Sequence, residues 1–409
     1  CKLLETNNNK KVIGSTLPSS DYTRTNTLGL DSKILEVDPP TCAFLPNRMN
    51  NNLLTPGESI KVKISDDIAL AVLEAVFGLK PLKYEPLDCY DDLNFYIKET
   101  LPLSNACMGC ETDHGYMLKF LNYLDSSNVE YVEAQNEMMK LLLNDGIQCP
   151  EIIPNKYNEE ISIIELIESE PGFQILKKGE SVKKTHIVRL FKYLPGTTLG
   201  ETKAFLEHTF EAGILLGKIN LALKNFHNEP YKQRKTIWML ESFPLVENFI
   251  QHIPCDKQKI VKDVIRQFQN HVVPQYGYLR KGFLHGDFNE RNILVDGSDH
   301  VYGVIDFGDS QYSYYLFDIA IGITYQLLIN SNTLEVYNLF LEGYETIIPL
   351  LDLEHKLLKT CIAARLCQSL VLGASSFALD PSNEYLLSSS KRGWQVLEYI
   401  LNNHVEKFD

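Results

Sequence analysis

The sequence predicts an α+β fold in two lobes, a small β-rich N-terminal lobe and a larger α-helical C-terminal lobe. Three observations predict it. Period-two patterns crowd the chain before residue 195, with one long helical pattern among them. Helical patterns dominate after Pro195-Gly196, and one segment, residues 283–309, gathers acids and amides beyond that junction. A β-lobe followed by an α-lobe places a cleft where the two meet.

Composition sets the outer bounds. The 409 residues are 44% hydrophobic and 22% charged, the balance of an ordinary globular protein. A net charge of −14 argues against non-specific nucleic-acid binding, which needs a basic face to displace counterions. It suits a small cationic substrate without identifying one. No run approaches the roughly 18 uninterrupted apolar residues of a membrane span, so no membrane partner is expected. Nine cysteines in so long a chain are not a disulfide framework, and a reducing, cytoplasmic setting is expected. The chain begins at Cys1, as a fragment or processed chain would, without the basic, apolar, small-residue order of a signal peptide.

Residues 1–58 are rich in Asn, Ser, Thr and Pro without an apolar period and read as a disordered leader. Ile68, Ala71, Val72, Ala75 and Val76 then recur at helical spacing, and Gly78 stops the helix. Over 93–98, Leu93, Phe95 and Ile97 alternate with Asn94, Tyr96 and Lys98, and a second alternating run covers 115–121. These read as paired strands joined by a loop containing Pro102 and Gly109. A helix over 130–143 has Val132, Met138, Met139 and Leu142 as apolar positions and Gly146 as its stop. Runs 161–167 and 186–193 read as further strands. Helices are predicted over 205–223, 245–253, 257–273, 317–329, 333–348, 353–372 and 391–402.

The segment that carries chemistry is FLHGDFNERNILVDGSDHVYGVIDFGD, residues 283–309. Its first part is His285-Gly286-Asp287, with Asn292 five residues after the acid. Its second part is Val304-Ile305-Asp306-Phe307-Gly308 at the end of an alternating strand. Phosphoryl transfer needs an acceptor hydroxyl oriented, its proton accepted, and divalent cations held against the phosphates. Asp287 can accept the proton. Asn292 and Asp306 offer one neutral and one anionic oxygen, a partial shell that Mg²⁺ completes with phosphate and water. Ile293-Leu294 and Val304-Ile305 would pin the two loops together as a short hairpin around Asp296-Gly297. The bland alternative is two turn acids and a capping Asn. Either motif alone is weak, and their order and spacing favour chemistry.

The segment resembles the catalytic and metal-binding loops of the aminoglycoside phosphotransferase and choline kinase superfamily, relatives of protein kinases. His-Gly-Asp, where protein kinases carry His-Arg-Asp, favours the small-molecule branch. Within it the chain is similar to the hydroxylysine kinases over roughly residues 65–402. The matching stretches are Val76-Phe77-Gly78-Leu79-Lys80, Tyr90-Asp91-Asp92-Leu93-Asn94-Phe95, Tyr116-Met117-Leu118-Lys119, Val188-Arg189-Leu190-Phe191-Lys192-Tyr193-Leu194-Pro195-Gly196 and Cys367-Gln368-Ser369-Leu370-Val371.

The resemblance implies a protein-kinase-like fold, with 59–194 as a nucleotide-binding lobe ending in the hinge and 195–405 as the lobe with catalytic and metal loops. It implies transfer of the terminal phosphate of GTP or ATP, with Mg²⁺, to the hydroxyl of 5-hydroxy-L-lysine. Asp287 would be the base, Asn292 and Asp306 metal ligands, and Lys119 a clamp on the α- and β-phosphates. Leu190 to Tyr193 would offer backbone groups to the purine, with Val188 and Leu190 as apolar walls. Two departures stand out. Gln135 occupies the place of the helix glutamate that braces the lysine, so the partner of Lys119 is open. Tyr90-Asp91-Asp92 occupies the place of the phosphate loop's glycines. Its amides still donate to phosphate, or one acid caps the turn, with Asn94 fixing the strand start.

An amino acid acceptor with an extra amine needs acids for its ammonium groups and a cation for its carboxylate. Asp309, Glu290 and Arg365 are the candidates. Arg291 either touches the transferring phosphate or lies exposed, Trp238 and Tyr314 either wall the site or fill the core, and Asp318 reads as an N-cap. Cys107-Met108-Gly109-Cys110, with His114 nearby, has the pair spacing of a zinc site but no second pair. The rival readings are a kinase of choline, ethanolamine or homoserine, and an inactive nucleotide-binding protein. A quaternary ammonium would favour an aromatic cage with few directed acids.

Overall fold

The computed structural model describes residues 60–402, excluding 61, 88, 103–111, 168–182, 204–205 and 331–332. The predicted leader, the loop glycine Gly109 and the Cys107 and Cys110 pair lie outside the described residues. Helix α1 (Asp66–Val72) runs on as a π-turn through Leu73–Phe77 and ends at Gly78, whose φ of 70° is left-handed. That is where the apolar period and the glycine place its end.

Strand β1 (Leu79–Leu87) was not legible in the pattern, because Pro81 and Pro86 interrupt it. Proline is tolerated there because β1 forms the outer edge of its sheet, where missing ladder donors face no neighbour. Strands β2 (Leu93–Pro102), β3 (Tyr116–Phe120) and β6 (Lys183–Lys192) follow inward. Both β4 (Ile152–Ile153) and β5 (Ser162–Ile167) pair on the far edge of β6, and every ladder is antiparallel. The short α2 (Tyr123–Ser126) and α3 (Val129–Asn144) intervene between β3 and β4. Met138, Met139 and Leu142 of α3 are buried in the main core, as its apolar period predicts.

Register decides what faces the cleft. Antiparallel partners share a face of the sheet, and side chains alternate along each strand. Asn94, Lys119 and Arg189 are cross-strand partners, and so are Tyr96, Met117 and Phe191 two residues along each strand. Phe95, Leu118, Leu190 and Ile153 form the opposite, fully buried face.

The second lobe is built from α4 (Leu206–Ala222), α5 (Cys255–His271), α6 (Tyr315–Ile329), α7 (Thr333–Glu345), α8 (Asp352–Leu379) and α9 (Ser390–Asn402). The helix predicted over 245–253 is instead part of a 3₁₀ segment, Leu240–His252. Pro244 within it lacks the N–H that an α-turn would use. Helix α8 packs against α5, α6 and α9. It is long and apolar enough to cross a membrane by length and composition, yet 72% of its apolar window is buried inside the protein. It is therefore the central core helix, and each buried Leu or Ile on it contributes about 1.5–3 kcal/mol.

Three short ladders sit at the junction. Strand β7 (Thr197–Thr198) pairs with β9 (Ile293–Val295), which pairs with β10 (Val301–Val304); β8 (Lys281–Leu284) pairs with β11 (Gln311–Tyr314). The β9–β10 pair is the hairpin predicted around Asp296-Gly297. Strands β8 and β11 are too short for a period to reveal them.

Candidate active site

Strand β8 ends at Leu284 and releases the loop His285-Gly286-Asp287. Asp318, in the first turn of α6, is fully buried and accepts from the amides of His285 (3.2 Å) and Gly286 (3.0 Å) and from Asn220 Nδ2 (2.9 Å). It is therefore a support for the His285-Gly286-Asp287 loop and not the predicted N-cap. Burial pushes its carboxyl pKa up, against the pull of those donors. His285 Nε2 lies 3.0 Å from the Ile305 carbonyl, joining this loop to the one after β10.

Three donors converge on the Asp287 carboxylate. Oδ2 accepts from Asn289 Nδ2 (2.8 Å) and Asn292 Nδ2 (3.0 Å), and Oδ1 from Arg365 Nη2 (3.1 Å). The Ile305 amide donates to the Asn292 carbonyl at 2.8 Å, which sets Asn292 next to Asp306. Asn292 spends its Nδ2 on Asp287, so its side-chain oxygen is the atom left for a cation. Asp306 takes φ 62°, and its Oδ1 accepts from Lys119 Nζ (3.0 Å) and the Gly308 amide (3.2 Å). Burial pushes this carboxyl up, but the Lys119 charge and hydrogen bond outweigh it and hold the pKa at about 2. An ionised carboxylate and an amide oxygen on adjoining loops fit a hard divalent cation. No group of three His, Cys, Asp or Glu residues that could hold a metal occurs among the described residues, so such a cation would complete its shell with phosphate and water oxygens.

Lys119 is 9% exposed and contacts two acids, Asp306 and Asp92, each at 3.0 Å. Burial alone would lower its pKa; the two carboxylates raise it above the ordinary lysine value. Asp92, from the Tyr90-Asp91-Asp92 turn, accepts at Oδ1 from the amide (2.9 Å) and Nδ2 (3.0 Å) of Asn122, the residue that opens α2. Arg189 lies buried on the same face, donating to Asn136 Oδ1 at 3.0 Å, its pKa drawn down to about 10 by burial against Asp92 and Asp306. Gln135 does not pair with Lys119; its Nε2 donates to the Gly308 carbonyl at 3.3 Å. Asn94 Oδ1 and Gln135 Oε1 are buried without a hydrogen-bond partner.

The hinge differs from expectation. Leu190 and Val188 pair with Leu118 and Phe120 and point away from Lys119 by strand parity. Both edges of β6 are occupied at Leu190, by β3 and β4. Leu190 therefore belongs to the opposite core face and offers a purine neither wall nor free backbone. The cleft face carries Met117, Phe191 and Tyr96 instead, and the Tyr96 ring stacks on Tyr193 at 3.9 Å. The Tyr193 amide already donates to the Gly115 carbonyl at 2.9 Å. Counting parity outward from Lys119 finds Met117 from sequence, whereas Phe191 follows only from the β3–β6 register.

Asp309 and Glu290 lie close enough to Asp287 for its charge to raise the pKa of both, whereas Arg365 does not face outward. It is 1% exposed, donates to the Trp238 carbonyl (3.1 Å), Gln368 (3.0 Å) and Asp287, and lies over the rings of Trp238 and Tyr325, each at 5.4 Å. It is a support for Asp287 and not an open receptor for a carboxylate. Trp238 thus borders the site, whereas Tyr314 fills the core beside Tyr276 and Phe317. Arg291 is 43% exposed and lies 3.7 Å from Glu290. Glu290 has a buried, unpartnered Oε2 and is pushed up to about 7 by burial and Asp287, against Arg291.

Asp309 is also pushed up to about 7, by burial and by Asp287, against Arg234 and Arg365. An acid whose pKa rises on folding binds more protons folded than unfolded, so its contribution to stability falls between about pH 4 and pH 7. Asp309→Asn should raise the melting temperature at about pH 7.5 and leave it near wild type at about pH 4. Thermal melts at both values check this; no gain at the higher pH would contradict a half-buried, under-compensated charge.

Comparison with known proteins shows the family and the fold of the chain. A sequence profile of the phosphotransferase enzyme family matches residues 110–350. The chain is 32% identical to the hydroxylysine kinase of Mus musculus over 360 residues, covering 84% of this chain and 91% of that one. Its fold is similar to an amicoumacin kinase solved with AMP-PNP and Ca²⁺ (TM-score 0.58, 16% identity, 82% and 94% of the two chains). It is similar also to a microcompartment-associated aminopropanol kinase (TM-score 0.60, 14% identity, 82% and 98%).

Proposed function

Because this chain belongs to the phosphotransferase enzyme family and is a phosphotransferase acting on an alcohol, we propose that it transfers the terminal phosphate of GTP or ATP to the side-chain hydroxyl of 5-hydroxy-L-lysine. The observation that carries this reading is the Asp287 carboxylate, held by three donors, with acids beside it, in a chain nearly one-third identical to a hydroxylysine kinase. In 5-hydroxylysine one ammonium sits on the carbon next to the hydroxyl-bearing carbon. A base for the hydroxyl therefore needs a second acid close by for the amine. Asp309 and Glu290, both close enough to Asp287 for its charge to raise their pKa, suit that role.

In this mechanism Asp287 orients the acceptor hydroxyl and takes its proton. Lys119 would neutralise phosphate charge from the sheet's cleft face, and Asn292 and Asp306 would hold Mg²⁺, which would supply further neutralisation of phosphate charge. A nucleotide donor and a divalent cation are in keeping with the ligands of the amicoumacin kinase that shares this fold. Cytoplasmic, reducing surroundings belong to the same proposal, since Cys149, Cys361 and Cys367 are buried free thiols.

Arg365 favours a second reading, in which the acceptor is a simple amino alcohol without a carboxylate, because that guanidinium is engaged by Asp287 and Trp238. Choline fits less well, since the Trp238 and Tyr325 rings already enclose Arg365. A turnover assay with Mg²⁺, ATP or GTP, and 5-hydroxylysine, homoserine, ethanolamine and choline separates these. The expected result is a kcat/KM for 5-hydroxylysine at least about 10-fold above the others. Higher turnover of ethanolamine or choline would overturn the acceptor and keep the reaction class.

A further inference from the structure

We propose that Asp92 is the positioning carboxylate of Lys119, replacing a helix acid at Gln135, and that it acts within a closed polar ring joining the two lobes. Asp92 Oδ2 meets Lys119 Nζ at 3.0 Å, and Lys119 meets Asp306 Oδ1 at 3.0 Å. The Gly308 amide donates to Asp306 (3.2 Å), and the Gly308 carbonyl accepts from Arg234 Nη2 (2.7 Å). Arg234 Nη2 also reaches Asp125 Oδ1 (3.2 Å). Asn122 Nδ2 bonds Asp125 Oδ2 (2.8 Å) and Asp92 Oδ1 (3.0 Å), which closes the ring.

Each link has a reason in the sequence. Asn122 caps α2 by accepting from the Asp125 amide, so its Nδ2 is free to hold both acids. With Oδ1 of Asp92 held by Asn122, Oδ2 is aimed at Lys119. The side chains of Asp92, Lys119 and Arg234 are 15%, 9% and 3% exposed, so removing one charge strands another out of water.

The two departures from the kinase pattern are then a single exchange. The acid has moved from the helix to the phosphate loop, and the helix position has become a donor to the metal loop. A glutamate at 135 could not donate to the Gly308 carbonyl and would set an anion against it. Lysine is a point charge on a flexible stem and needs a fixed counter-charge to hold one geometry. Asp306 alone cannot supply it, because the same carboxylate is needed for the cation. Asp92 would keep Lys119 in place with Asp306 engaged by a cation.

This inference rests on the kinase reading above, and the experiment separates the two. Steady-state kinetics in nucleotide and acceptor, with thermal melts, would be measured for wild type, Asp92→Asn, Asp92→Glu and Gln135→Ala. Asp92→Asn should lower kcat/KM for the nucleotide by about 30–100-fold at a temperature where it is folded. Gln135→Ala should lower it less than about 3-fold, because Arg234 still holds the Gly308 carbonyl. A folded Asp92→Asn within about 3-fold of wild type, or a larger loss in Gln135→Ala, overturns the assignment. Should Asp92→Asn not fold, Asp92→Glu decides. Its carboxylate is displaced by one methylene, so a rise of about 3–10-fold in nucleotide KM with the acceptor KM unmoved supports the role. Wild-type KM values for both substrates in that variant overturn it. A wild type that transfers no phosphate would fail the kinase reading itself, whatever the variants do.

Discussion

Asp287→Asn should lower kcat by about 10²–10⁴-fold while nucleotide affinity stays within about 3-fold of wild type. In the proposed mechanism the loss is that of a proton acceptor at the reacting hydroxyl, a role a neutral amide cannot take. The substitution also has a structural cost that the local geometry makes explicit. Asn289 Nδ2 and Asn292 Nδ2 both donate to one oxygen, and Arg365 Nη2 donates to the other. An amide has a single oxygen, so one orientation sets its NH₂ against two donors and the other sets it against a buried guanidinium. A destabilisation of about 1–3 kcal/mol follows from that unmade bond, visible as a lower melting temperature. Single-turnover transfer and a nucleotide titration on the folded variant measure both parts. Turnover above about one-tenth of wild type would remove Asp287 from the role of base.

Gly286→Arg, which converts the motif to His-Arg-Asp, should abolish activity and lower stability, and Gly286→Ala should do most of the same damage. Gly286 has φ 81°, a conformation that L side chains rarely adopt. A Cβ there would lie 2.2 Å from the Asp309 carbonyl oxygen and 2.6 Å from Gln311 Nε2. The contact is with backbone, so the loop itself must shift. Backbone strain alone costs about 1–3 kcal/mol, before the clash is added. The shift would carry Asp287, one residue on, away from Arg365 and would loosen the Asp318 contacts. Melting temperature and kcat measured on both variants test this. A stable, active Gly286→Ala would show that the two loops approach less closely than 2.2 Å implies.

The residue between His285 and Asp287 thus has a physical meaning that the motif alone lacks. In sequence, glycine there separates small-molecule kinases from protein kinases by resemblance. In the fold, it is the point where the His285-Gly286-Asp287 loop lies against the backbone after Asp306. The same contrast holds for Asp318. Its place at the start of an apolar helix reads as a cap, because sequence shows the helix and not the two loop amides that fold back onto it.

The sequence by itself determined the order of lobes, the α3 and α8 core helices, the β2–β3 pairing, the β9–β10 hairpin and the association of Asp287, Asn292 and Asp306. All of these rest on local periods or short spacings, which the chain writes directly. Tertiary structure alone decided the rest. It brought Asp92 to Lys119, Arg234 to Gly308 and Arg365 to Asp287, contacts that span 27, 74 and 78 residues. It also turned Leu190 out of the cleft, because strand pairing fixes which parity faces Lys119. Local pattern encodes which residues share a face; only pairing and packing determine what that face meets, and a buried charge takes its role from the partner it meets.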